Sequence, residues 1–200
     1  TCALPIWFES HIAFQKHYAQ IAQRTGCELF LTGCEMTMTE HRETEWRKLI
    51  AEVRTVYDGP VGYNCDKYGE DHITWWEAVD VIASSGYYPI DDWENQLDRI
   101  EEVVKKYQKP FLFSEAGCMN IHGSAQVPNN WELRGEEDDA EQADWYLAMF
   151  SACEKRDWVK GFGIWDWPGS MERKSPYAVC DRPAEAVIAE EYSCRGKNRR

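Results

Sequence analysis

The sequence predicts an α/β protein built on parallel strands, a (β/α)8 barrel of the TIM type. Three observations carry that expectation. Five short apolar runs are each separated from the next by a helical segment, which is the signature of repeated βα units. Two of those runs are followed within two residues by a glutamate, the place where a barrel keeps its chemistry. No G-x-G-x-x-G or G-x-x-x-x-G-K-S/T follows any run, so a doubly wound nucleotide fold would lack its phosphate cradle.

The elements follow in order. Phe14, Tyr18, Ile21 and Ala22 fall at i, i+4, i+7 and i+8, an amphipathic helical stripe that Gly26 ends. Cys27 to Gly33 is the first strand, with Glu35 beyond it. Trp46, Leu49, Ile50, Val53 and Tyr57 share one face of a second helix, and Asp58-Gly59-Pro60 is a turn. Val61 to Asn64 reads as a strand, Thr74 to Val79 as a short helix, and Val81 to Tyr88 as a strand closed by Pro89. Trp93, Leu97, Ile100, Val104 and Tyr107 mark a third long helix. Pro110 to Ser114 is the fourth strand, with Glu115 immediately after it. The loop from Ala116 to Gly135 is long enough to be functional. Glu136-Glu137-Asp138-Asp139 then opens a helix at the end where carboxylates favour the dipole; its expected stripe is Ala143, Tyr146, Leu147, Phe150 and Cys153. Val159 to Trp165 is the last strand, and Pro183 stands in the first turn of the final helix.

Composition narrows the function. A formal charge of -13 and a pI near 4.8 repel phosphate backbones, which argues against nucleic acid as a partner. No apolar stretch is long enough to span a membrane, so no membrane partner is expected. Ten Trp and ten Tyr exceed what a core of this size needs, and flat rings stack on pyranose faces. The eight cysteines include no C-x-x-C pair, and the five histidines show no metal-ligand spacing. Thiols rather than a disulfide framework are expected, with no metal and no cofactor. The chain opens on Thr rather than Met and shows neither a basic n-region nor a long apolar h-region. Upstream residues are therefore expected to be missing, and the compartment is read as cytoplasmic, with secretion left open because the N-terminus is read as missing. Residues 1–194 read as one catalytic domain, and the basic 195–200 as a frayed tail.

Glu35 and Glu115 lie on the first and fourth strands of the set, so in a ring their carboxylates can face each other across its mouth. A facing pair suits glycoside hydrolysis, in which one carboxyl protonates the leaving oxygen while the other attacks the anomeric carbon or activates water. Either Glu could instead cap a helix or pair with a base. Asn64 and Asp66 could bind sugar hydroxyls or serve a turn. Asp166 could hold a hydroxyl or cap a turn, and Trp131 could be a remote stacking platform or a loop anchor.

The segments LTGCEMTMTEHRETEWRKLIAEVR, YNCDKY, SSGYYPIDDW, PFLFSEAG and GFGIWDWP resemble the later part of clan-A glycoside hydrolases, particularly the family-113 β-mannanase type. The resemblance runs from about Trp7 to Tyr192. It implies that Glu35 is the acid/base after the fourth barrel strand and Glu115 the nucleophile after the seventh. It implies that Tyr88 or Tyr87 hydrogen-bonds the nucleophile, and that Trp165 floors the subsite of the attacked sugar. Cys34 stands where many clan members have Asn, so the hydrogen bond to the sugar 2-OH must come from elsewhere. If Cys27 to Gly33 is the fourth strand, strands one to three are absent, and the expected object is an incomplete barrel of strands four to eight. Its exposed edges, 27–33 and 159–165, would favour self-association. The expected function is a retaining endo-β-glycosidase acting on a β-1,4-linked oligo- or polysaccharide, mannan-like. The alternatives are a β-1,4-xylanase or β-glucanase on the same barrel, or a non-catalytic carbohydrate-binding fragment.

Overall fold

The computed structural model describes residues 3–168 and 175–198, the last four by their backbone alone. The elements are α1 (Ala3–Thr25), β1 (Phe30–Cys34), α2 (Glu43–Val53), β2 (Val61–Cys65), β3 (Val81–Gly86), α3 (Trp93–Tyr107), β4 (Phe111–Ala116), α4 (Asp139–Cys153), β5 (Val159–Ile164) and α5 (Pro183–Asn198). Short 3-10 turns occupy Trp76–Ala78 and Ser124–Gln126. The strands form one sheet in the order β1-β2-β3-β4-β5. A doubly wound sheet reverses its order at a switch point, whereas an unbroken sequential order is a barrel's. The sheet is therefore an open run of five barrel strands, as expected for an incomplete barrel. β1 and β2 are parallel, Phe30 opposite Val61 and Leu31 opposite Gly62, but the next pair is Cys34 with Asn64. That shift is a bulge one step before Glu35, a device that re-aims the following side chain.

By contacts the chain divides into two units, Thr1–Ser85 with Glu102–Leu112, and Gly86–Glu101 with Phe113–Arg200. In the first, α2 lays Trp46, Leu49, Ile50 and Val53, at i, i+3, i+4 and i+7, into the core. Trp46 stacks on Trp75 with centroids 5.1 Å apart, and Tyr63 meets both rings edge-on. In the second, Trp93, Phe113 and Trp145 pack edge to face with Tyr88 and Tyr146, an arrangement aromatic quadrupoles favour.

Several elements differ from expectation. The α1 stripe is rotated: Phe8, Gln15, Ala19 and Ala22 are buried, while Phe14 and Tyr18 are 55% and 48% exposed. Small Ala residues let α1 lie close on α2, and the two aromatics meet each other outside at a tilt, ring centroids 4.7 Å apart. Leu147 of α4 is exposed because that helix buries a broader face running through Gln142, Trp145 and Met149. The expected helix at Thr74 to Val79 is only a 3-10 turn, and both Trp75 and Trp76 are core residues. β1 starts at Phe30, because Gly26 leaves α1 with φ +70 and three residues are used reaching the sheet. The last helix continues through Asn198; residues 199 and 200 of the expected tail lie outside the described residues. The seven described cysteines are thiols. No described helix is long and apolar enough to cross a membrane.

Candidate active site

Each unit holds one strand-end glutamate, and each carboxylate has a hydroxyl donor. In the first unit, Glu35 follows the β1 bulge with φ +51, a left-handed conformation that a residue with a Cβ adopts at a cost of about 1–3 kcal/mol. Two backbone bonds hold it there. The Glu35 N–H donates to the Asn64 carbonyl at 2.8 Å, and the Met36 N–H donates to the Tyr63 hydroxyl at 2.9 Å. Tyr63 passes its own hydrogen to Glu40 Oε1 at 2.7 Å. Burial pushes the Tyr63 phenol far up. It also holds the Glu40 carboxyl above its usual range, against the pull of the Tyr63 bond. The Glu35 carboxylate accepts a hydrogen bond from Ser85 Oγ. Asn64 Nδ2 donates to Ser85 Oγ at 3.0 Å and to Cys34 Sγ at 3.2 Å.

In the second unit, Glu115 is the fifth residue of β4 rather than the residue after it. Its Oε2 accepts from the Tyr87 hydroxyl at 3.1 Å. Tyr87 meets Tyr177 edge-on and, with Leu133, packs on Met119, Ile121 and Tyr177. Tyr177 in turn donates to the Pro128 carbonyl at 2.7 Å, and burial pushes its phenol up to about 12. Trp165, just past β5, is 48% exposed. Its backbone is tied down: the N–H donates to the Ala116 carbonyl at 2.8 Å, and the carbonyl accepts from Tyr146 at 3.2 Å. Both Asp166 carboxylate oxygens accept from Ser175 Oγ at 3.0 Å. Gly117 packs so closely that a Cβ there would sit 2.1 Å from the Trp165 carbonyl oxygen.

The loop between β4 and α4 is held by the helix it precedes. Glu141 accepts from the N–H groups of Gly123 and Ala125, both at 2.8 Å, and Asp138 caps α4 by accepting from the Glu141 N–H. Asn120 donates to Asp139 at 2.9 Å. His122 lies 3.2 Å from Asp138 and 3.3 Å from Glu141. This trio is the one metal-like grouping among the described residues, but its carboxylates already serve as caps.

A family model described as Glycoside Hydrolase Family 113 matches residues 3–182. The chain belongs to glycoside hydrolase family 113. Among solved structures, this family 113 chain is similar to a GH113 β-1,4-mannanase solved as a complex, at 54% identity and TM-score 0.89, over 94% of this chain and 62% of that one. It is also similar to the GH113 β-mannanase AaManA from Alicyclobacillus acidocaldarius, in complex with ManMIm, at 42% identity and TM-score 0.92, over 96% of this chain and 63% of that one. A β-glucuronidase from Bifidobacterium dentium, at 17% identity and TM-score 0.70, shares the fold alone. Comparison with curated proteins finds no match. The chain thus spans a little under two thirds of the length of these mannanases.

Within the family 113 chain, the expected residues separate by burial. Tyr87, not Tyr88, reaches Glu115; Tyr88 is wholly buried against Trp93 and Phe113, so its expected place in substrate binding is corrected to the core. Asn64 is 1% exposed and spends its amide on Ser85 and Cys34, which corrects it from a sugar ligand to an internal support. Asp66 remains half-exposed beside Lys67. Trp131 is 69% exposed on the long loop, so it is no buried anchor. Ser85, Tyr63 and Glu40 were not singled out in the sequence, although a hydroxyl inside an apolar strand demands an acceptor and was the signal available for Ser85.

Proposed function

We propose that this chain carries the catalytic residues of a retaining endo-β-1,4-mannanase, with Glu115 as nucleophile and Glu35 as acid/base. The observation that carries the reading is the Tyr87–Glu115 hydrogen bond, in which a phenol donates to a strand-end carboxylate and aims it. The 54% identity to a GH113 β-1,4-mannanase supports the sugar. In the first half-reaction a Glu115 oxygen attacks C1 of the mannosyl unit while the Glu35 carboxylic acid gives its proton to the departing O4. A covalent glycosyl ester on Glu115 results. In the second, Glu35, now a carboxylate, takes a proton from water, whose oxygen attacks C1 and releases Glu115. Trp165, half-exposed, serves as the platform under the reacting ring, and Trp131 as a more distant one. No cofactor enters this sequence.

The test is hydrolysis of β-mannan, manno-oligosaccharides, xylan and β-glucan, with the first-formed anomer read by proton NMR. Internal cleavage of mannan giving the β-anomer first is expected. An α-anomer first, or preference for xylan, overturns the assignment.

A further inference from the structure

Ser85 and Asn64 form a directed chain of hydrogen bonds ending on Glu35, and its direction is fixed by what each group can donate. An amide –NH2 carries hydrogens and no acceptor, so at the Asn64–Ser85 contact of 3.0 Å the serine oxygen must accept. Ser85 is wholly buried, and Asn64 is 1% exposed. The remaining Ser85 hydrogen therefore goes to Glu35 Oε1. Were Glu35 to donate to Ser85 instead, the serine hydrogen would be buried with no acceptor among the described partners of its hydroxyl, the arrangement folded proteins avoid. Asn64 is itself held, by its second contact to Cys34 Sγ, and its carbonyl also accepts the Glu35 N–H at 2.8 Å. One β2 residue thus fixes the backbone of Glu35 directly and its carboxyl through a serine of β3.

We propose that Asn64 and Ser85 are positioning residues for Glu35, a one-way relay that reserves Oε1 as an acceptor and so places the transferable proton on Oε2. The relay rests on the reading of Glu35 as acid/base. It addresses a problem that any acid/base carboxyl has: a proton on the wrong oxygen is useless to the leaving group. A lone serine could turn and draw the proton to Oε1; a serine already accepting from a fixed amide is biased against it.

The test follows the Glu35 carboxyl carbon by NMR in the 13C-glutamate-labelled chain, with its signal identified by its loss in Glu35→Gln. Glu40, Asp66 and His72 also lie in this electrostatic neighbourhood and are unchanged in every variant. Ser85→Ala removes a donor to the ionised carboxylate, so its proton affinity should rise about tenfold. Ser85→Thr, which keeps the hydroxyl, should restore the original titration. Asn64→Leu, remote from the carboxyl, should reproduce part of the rise, and the double variant should add nothing to Ser85→Ala. If Ser85→Ala does not fold, Ser85→Cys, a weaker donor, takes its place. The same variants are assayed on aryl mannosides of differing leaving-group ability, with Glu35→Ala as reference. Loss confined to poor leaving groups in Glu35→Ala, with unchanged titration in Ser85→Ala, overturns the relay and leaves the function standing. A shift in Ser85→Ala with none in Asn64→Leu also overturns it. Uniform loss across leaving groups in Glu35→Ala instead removes the acid/base reading itself.

Discussion

Tyr87 gives its phenolic hydrogen to Glu115 at 3.1 Å, while Tyr88, the very next residue, has its ring in the core. The two lie just past β3 and their side chains go to different places, one to the Glu115 carboxylate and one to the core. Tyr87→Phe should lower kcat about 10- to 100-fold, the worth of a hydrogen bond to a charged group, with little change in Tm. Tyr88→Ala should instead destabilise by about 3–5 kcal/mol, as large aromatic truncations do. Steady-state kinetics beside thermal unfolding separates the two.

The roles of the two carboxylates are distinguishable by chemical rescue. Glu115→Ala should abolish turnover, and azide should restore it with an α-mannosyl azide as product. Glu35→Ala should keep activity on activated aryl glycosides, fall by roughly 10²–10⁴ on mannan, and yield a β-mannosyl azide. The reverse pattern of products would exchange the assignments.

Gly117 and Gly163 stand where no Cβ fits. A methyl at Gly117 would meet the Trp165 carbonyl oxygen at 2.1 Å, and one at Gly163 the Ser114 carbonyl oxygen at 2.2 Å. Backbone cannot yield as a side chain can, so either Gly→Ala variant should lose about 1–3 kcal/mol or more. Gly135→Ala, facing only a side-chain methyl at 3.3 Å, should lose much less. Denaturant midpoints decide it.

Glu40 makes stability depend on pH. Burial raises its carboxyl above the ordinary 4.5, so in this window the folded state holds more protons than the unfolded one. Stability should therefore fall as pH rises from about 4.5 through the raised folded value. Glu40→Gln keeps an acceptor for Tyr63 and should flatten that slope. Unfolding midpoints measured between pH 4 and 8, a range chosen to span roughly both limits, would show it; an unchanged slope would refute the argument.

Thiol reactivity should be ordered by burial. Cys27, Cys34 and Cys194 are exposed and should react first with an aromatic disulfide reagent. Burial pushes the Cys118 thiol up to about 12 and that of Cys65 well above its usual range, so these two should react only on unfolding. Mass spectrometry of the labelled peptides reads the order.

The strand and helix alternation was legible because α2 and α3 carry clean apolar stripes and each strand is a bounded apolar run. Boundaries were less so: Glu115 lies inside β4, since polar residues at the mouth of a barrel can still make ladder bonds. The α1 stripe is a poor guide because Phe14 and Tyr18 dominate its hydrophobicity yet face outward, while Ala19 and Ala22, which are buried, add little to the pattern. Both glutamates stood out by position after a strand. Their supports did not. Neither the Ser85–Asn64 contact nor the Tyr63–Glu40 contact has a local spacing, because each joins elements 21 or 23 residues apart.

The carboxylates of Asp138, Asp139 and Glu141 fasten the loop after β4 as well as the first turn of α4. Loop and helix start are consequently one inheritable cassette. Recombination between homologues that cuts at Gly135 would leave the Gly123 and Ala125 N–H groups dependent on a carboxylate at position 141 of the incoming helix. A breakpoint beyond Glu141 would carry the whole clasp intact. Chimeras meant to trade the loop that carries Trp131 for another should therefore be joined within α4, downstream of that clasp.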